Sequence, residues 1–291
     1  MNANPAKLPR LTQARAPLTL GIEALDEHGQ TCALSIPAER ALTVYVDKQE
    51  LITLMTLGAH PEWLVLGYLR NQRLIEAVGQ IESITVDWEA GDAGAGVAAI
   101  KTRGLVNDWS ERTQKRIVTT GCGQGSLFGC AMQDLADLQL PETRLSQGRL
   151  YKVLEQMRQL ETTYKSAGSV HGCALFDGER LCLFIEDVGR HNAIDTIAGW
   201  LWMQETSAQP SDPLFYTTGR LTSEMVLKAA QMGVPLVVSR SGITQMGFEM
   251  AQSLGLCTVG RAINRHFLCY SGQHRFVSQP NLSPPHIERS A

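Results

Sequence analysis

The run Val118-Thr119-Thr120-Gly121-Cys122-Gly123-Gln124-Gly125-Ser126 sets one cysteine among three glycines, directly after β-branched residues. The glycines free the backbone for conformations that other residues reach only with strain. Successive N–H groups can then converge on one point, and such a nest stabilises an anion. The anion on offer is the Cys122 thiolate, the form in which cysteine acts as nucleophile or sulfur carrier. A small, inert apolar cysteine on a glycine-rich turn is the competing reading, since free cysteine is commonly buried.

Two further groups carry chemistry. Glu186-Asp187-Val188-Gly189-Arg190-His191-Asn192-Ala193-Ile194-Asp195 brings six polar or ionisable side chains into ten residues. A His–Asp pair there could move protons, or His191 could be a satisfied structural group at a helix start. Thr218-Gly219-Arg220 and Arg240-Ser241-Gly242 each combine glycine, hydroxyl and arginine just before a helix. Helix N-termini present free N–H groups and partial positive charge, so a phosphorylated ligand suits both loops. Ordinary capping by Thr222, Ser223 and Thr244 would explain the same residues.

The elements that must hold these groups follow from pattern. Thr19–Leu25 and Thr31–Ile36 flank the turn Asp26-Glu27-His28-Gly29 and read as a hairpin, and Ala41–Val46 as a further strand. Asp47-Lys48 is expected to lead into a helix over Gln49–Leu57. Pro61 opens the next helix, where its missing N–H costs little. Ile81–Trp88 and Val97–Thr102 read as paired strands, and Arg116–Thr120 as the strand delivering the cysteine loop. Ser146 caps a long helix whose stripe Leu150, Val153, Leu154, Met157 and Leu160 points to core. Beyond it, His171–Phe176 and Arg180–Glu186 form a hairpin about Asp177-Gly178, and a helix covers Ala193–Gln204. Strands Leu214–Thr217, Val234–Ser239 and Cys257–Gly260 then alternate with helices Thr222–Met232 and Thr244–Leu254. That alternation predicts parallel strands with covering helices, which bind ligands at their carboxyl ends.

The chain has 291 residues, 44% hydrophobic and 19% charged, with a formal net charge of −3. These values suit two domains, or one large one, with a real core, the strand–helix alternation makes the class α/β, and the charge argues against a nucleic-acid partner held in bulk. The chain shows no signal-peptide pattern and no apolar run of membrane-spanning length. Seven scattered cysteines suit reduced thiols in a cytoplasm better than a disulfide framework. The expected division is a flexible tail at 1–17, a β-rich domain at 18–145, an α/β domain at 146–272 and a tail at 273–291.

Thr120-Gly121-Cys122-Gly123, the block Glu186 to Ala193, Gly219-Arg220 with Ser223-Glu224-Met225-Val226, and Val234-Pro235 with Val238-Ser239-Arg240-Ser241 together resemble the formate dehydrogenase accessory sulfurtransferases, the FdhD family. The resemblance runs from about Leu18 to Ser271. It implies a carboxy-terminal cytidine-deaminase-like three-layer α/β/α domain. It also implies a sulfurtransferase that takes persulfide sulfur from a cysteine desulfurase on Cys122. The sulfur would pass to the molybdenum of the bis(guanine dinucleotide) cofactor, as formate dehydrogenase requires. Cofactor binding would fall to Arg261, Ala262, Ile263, Asn264, Arg265 and His266, and a homodimer is compatible with the pattern. A non-catalytic chaperone that binds and delivers the molybdenum cofactor is the alternative. Two departures stand out: Gly125 occupies the position of the family's second cysteine, and Leu268 replaces an asparagine two residues before Tyr270. One cysteine suffices chemically, because each transfer is the attack of one nucleophile on one sulfur; Cys130 could stand in for the second but suits the core better. A zinc deaminase would need His-x-Glu and Pro-Cys-x-x-Cys. His191-Asn192-Ala193 lacks the glutamate and no such cysteine pair exists, so no metal is expected.

Overall fold

The computed structural model describes residues 8–91, 95–104, 117–118, 125–126, 138–160, 162–204 and 208–282. By contact the chain divides into two units that do not follow chain order. One comprises Met1–Ala136, Thr162–Cys173 and Phe184–Gln209, the other Asp137–Glu161, Ala174–Leu183 and Pro210–Ala291.

The first unit is β-rich. Strands β1 (Arg10–Leu11), β4 (Arg40–Val46), β5 (Gln49–Thr56), β6 (Ile81–Asp87) and β7 (Gly96–Thr102) form a sheet in the order β1-β6-β7-β4-β5. β2 (Thr19–Leu25) and β3 (Thr31–Pro37) pair antiparallel as a separate hairpin. Helix α1 (Pro61–Asn71) starts on proline and is buried nearly all round, with Leu64, Val65, Leu66, Tyr68 and Leu69 inside. Its core neighbours include Leu42, Val44, Ile84 and Ile100 of the sheet.

Two expectations change here. The span expected as a helix after Lys48 is strand β5, paired antiparallel with β4 from Arg40↔Thr56 to Val46↔Gln49. Asp47 and Lys48 both adopt positive φ, 45° and 72°, the geometry of a two-residue hairpin turn matched to strand twist. The turn reverses the chain, and the β-branched Ile52, Thr53 and Thr56 suit the ladder. Residues 10–16, expected as part of a flexible tail, are tied down. Arg10 and Leu11 pair with Ser83 and Ile84. Thr12 Oγ1 and Ala14 N each donate to the buried Glu62 carboxylate at 2.7 Å, and Trp88 Nε1 donates to the Ala14 carbonyl at 2.8 Å.

His60 precedes α1 and stacks on Trp63, with ring centroids 4.3 Å apart. Burial, reinforced by the Arg15 charge, lowers its pKa to about 4. The unfolded chain therefore takes up a proton between the ordinary value near 6.5 and 4 that the fold refuses, so stability drops as pH falls through that window. A His60→Gln variant should show a flatter dependence of Tm on pH between 6.5 and 4; unaltered curvature would refute the assignment.

The unit also holds β8 (Ile117–Val118) and β9 (Gly125–Ser126), which pair antiparallel, and helices α3 (Thr163–Ala167) and α4 (Arg190–Trp202). Chain order groups α4 with the carboxy-terminal half, yet its contacts are with α1. The two helices touch through glycine. A Cβ on Gly67 would lie 1.7 Å from the Asp195 carbonyl oxygen, and one on Gly199 would lie 1.9 Å from that of Trp63.

In the second unit, β10 (Leu145–Ser146) leads into α2 (Gln147–Gln159), whose Ser146 cap accepts from Arg149 N at 3.1 Å. A six-stranded sheet runs in the order β12 (Arg180–Asp187), β11 (His171–Asp177), β13 (Pro213–Thr217), β14 (Leu236–Ser239), β15 (Cys257–Ile263), β16 (His266–Ser271). β13, β14 and β15 are parallel, and β16 closes the edge antiparallel. Helices α5 (Ser223–Gln231) and α6 (Gln245–Ser253) connect the parallel strands. Beyond the expected end of the domain at 272, Arg275 is buried and donates to the Gly255 and Pro141 carbonyls. β17 (Phe276–Val277) then pairs with β10. Among the described residues no helix is long and apolar enough to cross a membrane.

Candidate functional site

The cysteine loop is bracketed by a short ladder, Ile117↔Ser126 and Val118↔Gly125. Val118 thus ends a strand as its β-branching predicts, and Gly125, the position the resemblance gives to a second cysteine, opens the return strand. Cys122 and Cys130 lie outside the described residues.

The block from Glu186 to Asp195 is resolved in detail. Asp187 is 3% exposed, and its carboxylate receives four donors. Thr56 Oγ1 (2.5 Å) and Leu57 N (3.1 Å) bind one oxygen, and Gly189 N (3.2 Å) and Asn192 Nδ2 (2.8 Å) bind the other. Burial pushes its pKa up, opposed by these same hydrogen bonds. Asn192 also donates to the Met55 carbonyl at 2.6 Å, and Asp195 accepts from Asn71 of α1 at 2.6 Å. Glu186 receives the Thr163 and Tyr164 amides at the start of α3. These acidic groups serve helix ends and a strand–helix corner, an arrangement that builds the first unit. His191 is buried at 3% exposure, and the four donors on Asp187 come from residues other than this histidine.

The carboxyl ends of β13 and β14 are stitched by hydroxyls. Thr217 and Ser239 are opposite each other and fully buried. Gly219 N donates to Thr217 Oγ1 (3.1 Å), Ser239 Oγ to the Gly219 carbonyl (2.6 Å) and Ser241 N to Ser239 Oγ (2.9 Å). The two loops pair directly, with Leu221 N on the Gly242 carbonyl and Thr244 N on that of Leu221. Both strand–helix loops therefore share one edge, as their equivalent positions after consecutive parallel strands require. Thr244 caps α6 by accepting from Gly247 N at 3.2 Å; Thr222 makes no such bond for α5.

A third segment joins them. Arg261 N donates to the Ser241 carbonyl at 2.7 Å. Gly260 permits that approach: a Cβ there would lie 2.5 Å from the Tyr270 ring and 2.9 Å from the Ser241 carbonyl oxygen. The β15–β16 pairing is irregular between Gly260 and Ile263, where Arg261 takes φ 50° and Asn264 φ 55°. Asparagine tolerates that left-handed region; arginine adopts it only when its surroundings over-determine it.

These segments border a cleft of about 540 Å³. Of the residues expected to bind cofactor, Ala262, Ile263, Asn264 and Arg265 line it; Arg261 and His266 do not, and neither does Arg220. Arg240 is an exposed residue of its lining. Arg265 lies over the Tyr151 ring at 5.7 Å and donates to the Leu282 carbonyl at 3.0 Å. Helix α2 supplies the opposite wall through Tyr151, Glu155 and Arg158, the last two ion-paired at 2.7 Å. The apolar stripe of α2 accounts for its core side and not for this wall. The i, i+4, i+7 spacing of Tyr151, Glu155 and Arg158 marks one helix face, a signal available beforehand. Met157, expected in the core, also borders the cleft. Three guanidinium groups against one carboxylate make this a cationic cleft, with an aromatic ring on its wall. Among the described residues no cluster of three or more His, Cys, Asp or Glu could hold a metal ion.

Fold and cleft define a mixed α/β protein with a cationic cleft at the carboxyl edge of a sheet. The FdhD/NarQ family model matches residues 37–277, and the chain belongs to that family, a family of sulfur carriers. It is 32% identical over 239 residues to the sulfur carrier protein FdhD of Bacillus subtilis (strain 168), covering 81% of this chain and 88% of that one. The FdhD of Listeria innocua is 29% identical over 247 residues, covering 84% and 92%. A crystal structure from Desulfotalea psychrophila, described as a formate dehydrogenase accessory protein, superposes with TM-score 0.69 at 21% identity. It covers 90% of this chain and all of that one, and shows the same fold.

Proposed function

We propose that this sulfurtransferase carries persulfide sulfur on Cys122 from a cysteine desulfurase to the molybdenum of the bis(guanine dinucleotide) cofactor before formate dehydrogenase receives it. The Cys122 thiolate attacks the terminal sulfur of the donor persulfide. The donor S–S bond breaks, the donor cysteine leaves as thiolate, and Cys122 retains the sulfane sulfur. Such chemistry needs a reduced thiol, which a reducing cytoplasm supplies. The parallel strands with covering helices support a deaminase-like second domain.

The observation that carries the reading is the cationic cleft. Arg240 and Arg265 can take phosphate oxygens, with the Tyr151 ring nearby as an apolar wall for a base. Ala262, Ile263 and Asn264 contribute backbone and shape; Arg261 and His266 act through the turn they flank. Guanosine diphosphate is the probe, and calorimetry on the full chain the measurement. Arg240→Ala and Arg265→Ala should each cost about 1.5–3 kcal/mol of binding, roughly tenfold to a hundredfold in Kd. Arg261→Ala should cost less, because its side chain is outside the cleft lining. Equal affinity in an Arg240/Arg265 double variant would move the ligand site elsewhere.

A further inference from the structure

The β2–β3 hairpin forms a two-stranded sheet of its own, and such a hairpin is marginally stable in water. Its register runs unbroken from Thr19↔Pro37 to Leu25↔Thr31, which sorts the side chains by face. Leu20, Ile22, Ala24, Cys32, Leu34 and Ile36 make one face apolar throughout. None of the six is buried, and Leu20 is 57% and Leu34 39% exposed. The same register shows which backbone groups are already paired. Ala38 N donates to the Leu18 carbonyl at 2.9 Å and Asp26 N to that of Gln30 at 3.0 Å. Leu18↔Ala38 and Asp26↔Gln30 are therefore hydrogen-bonded pairs, as is every second pair between them. Thr19, Gly21, Glu23 and Leu25 consequently turn their N–H and C=O groups outward, along an exposed edge with no described strand beside it. The outer edge of β3 is less open: Pro37 falls at an outward position without an N–H, and α3 packs against this strand. We propose that β2 pairs antiparallel with β2 of a second copy of this chain, joining two hairpins into one four-stranded sheet about a two-fold axis at Ile22.

The register of the new ladder follows from the same alternation. Outward residues must oppose outward residues, which rules out any offset by a single position. Centring on Ile22, the middle of β2, uses the whole strand. Gly21 of one copy then exchanges hydrogen bonds with Glu23 of the other, and Thr19 with Leu25. On the apolar face Ile22 meets Ile22 of the copy and Leu20 meets Ala24, at the closer spacing of non-hydrogen-bonded pairs. Glu23 lies opposite a glycine, so no like charges meet directly. Beyond the ladder the register sets Glu27 of one copy opposite Pro17 of the other, whose missing N–H ends the pairing. Arg40 Nη2 donates to the Pro17 carbonyl at 2.7 Å, and the exposed Arg15 lies two residues earlier. The acidic turn Asp26-Glu27 of each copy thus faces a basic end of the other, and the charges complement at both ends of the interface.

The test is analytical ultracentrifugation of the full chain over a range of concentrations, which should show a dimer that weakens as salt rises. Gly21→Glu sets a carboxylate opposite Glu23 of the copy, twice per dimer, and should raise the dimer Kd roughly two- to thirtyfold. Gly21→Lys should lower it by a similar factor. A Cβ at position 21 meets nothing within 4 Å, so both variants keep the protomer fold. Ile22→Cys should form an interchain disulfide on mild oxidation, because the axis brings the two Cα atoms to about 4.5 Å. Glu23→Cys, diagonal across the axis, should not exceed the wild-type background. A monomer at every concentration would overturn the proposal and leave the edge to a strand of another protein. A dimer indifferent to both Gly21 variants would overturn it too, by placing the contact on another surface. Should Ile22→Cys fail to fold, the opposed effects of the two Gly21 variants decide alone.

Discussion

Cys122→Ala is expected to carry no sulfur and to activate no client enzyme, while keeping its fold and its affinity for guanosine diphosphate. Alanine has no thiolate to attack the donor persulfide, so the loss should be complete. The ladder that brackets the loop, Ile117↔Ser126 and Val118↔Gly125, is made by backbone groups and survives the change. The cleft is lined by residues of the second unit, and Cys122 is not among them. Incubation with a cysteine desulfurase and its cysteine substrate, followed by intact-mass measurement, reads the effect directly: wild type gains one sulfur and the variant gains none at this position. Cys130→Ala is the control, and it should still transfer. Full client activation by Cys122→Ala would discard the one-thiol mechanism and leave a cofactor-delivery chaperone as the role. An inactive but folded Cys130→Ala would show that a second thiol has been relocated there.

Gly67→Ala and Gly199→Ala should each destabilise the first unit by about 3 kcal/mol or more, at the upper end of overpacking costs. Each new Cβ would fall under 2 Å from a backbone carbonyl oxygen, Asp195 in one case and Trp63 in the other. No side-chain rotation relieves a clash with backbone, so the helices must separate. Separation lengthens the buried Asn71–Asp195 hydrogen bond and pulls α4 from the corner where Asp187 and Asn192 bind residues 55–57. Gly21→Ala, which meets nothing within 4 Å, is the matched control and should stay within about 0.5 kcal/mol. Urea denaturation followed by fluorescence compares the three. A midpoint unchanged from wild type in Gly67→Ala or Gly199→Ala would show that the helices do not cross as closely as described.

Local chemistry accounts for what could be read beforehand. Pro61 at a helix start and Ser146 and Thr244 as caps act over a few residues and appear where expected; the hairpin turn falls one residue later than expected, at Gly178-Glu179, with Gly178 at positive φ. Short apolar strands alternating with helices disclosed the parallel core, and the blocks around Cys122 and His191 disclosed the family. Tertiary structure decided the rest, because the deciding partners are distant in sequence. Gln49–Thr56 is a strand because β4 pairs with it. Local spacing left the block from Glu186 to Asp195 open between proton chemistry and structure; its hydrogen bonds run to residues as far away as Thr56 and Asn71. The cleft joins α2 to loops roughly a hundred residues on, where Tyr151 donates to the Arg265 carbonyl at 3.2 Å. Residue types and local spacing determined which groups could take sulfur or phosphate. Long-range packing alone determined which of them stand on an open surface and which are consumed in holding helices together, since burial and hydrogen-bond partners exist only once the chain has folded.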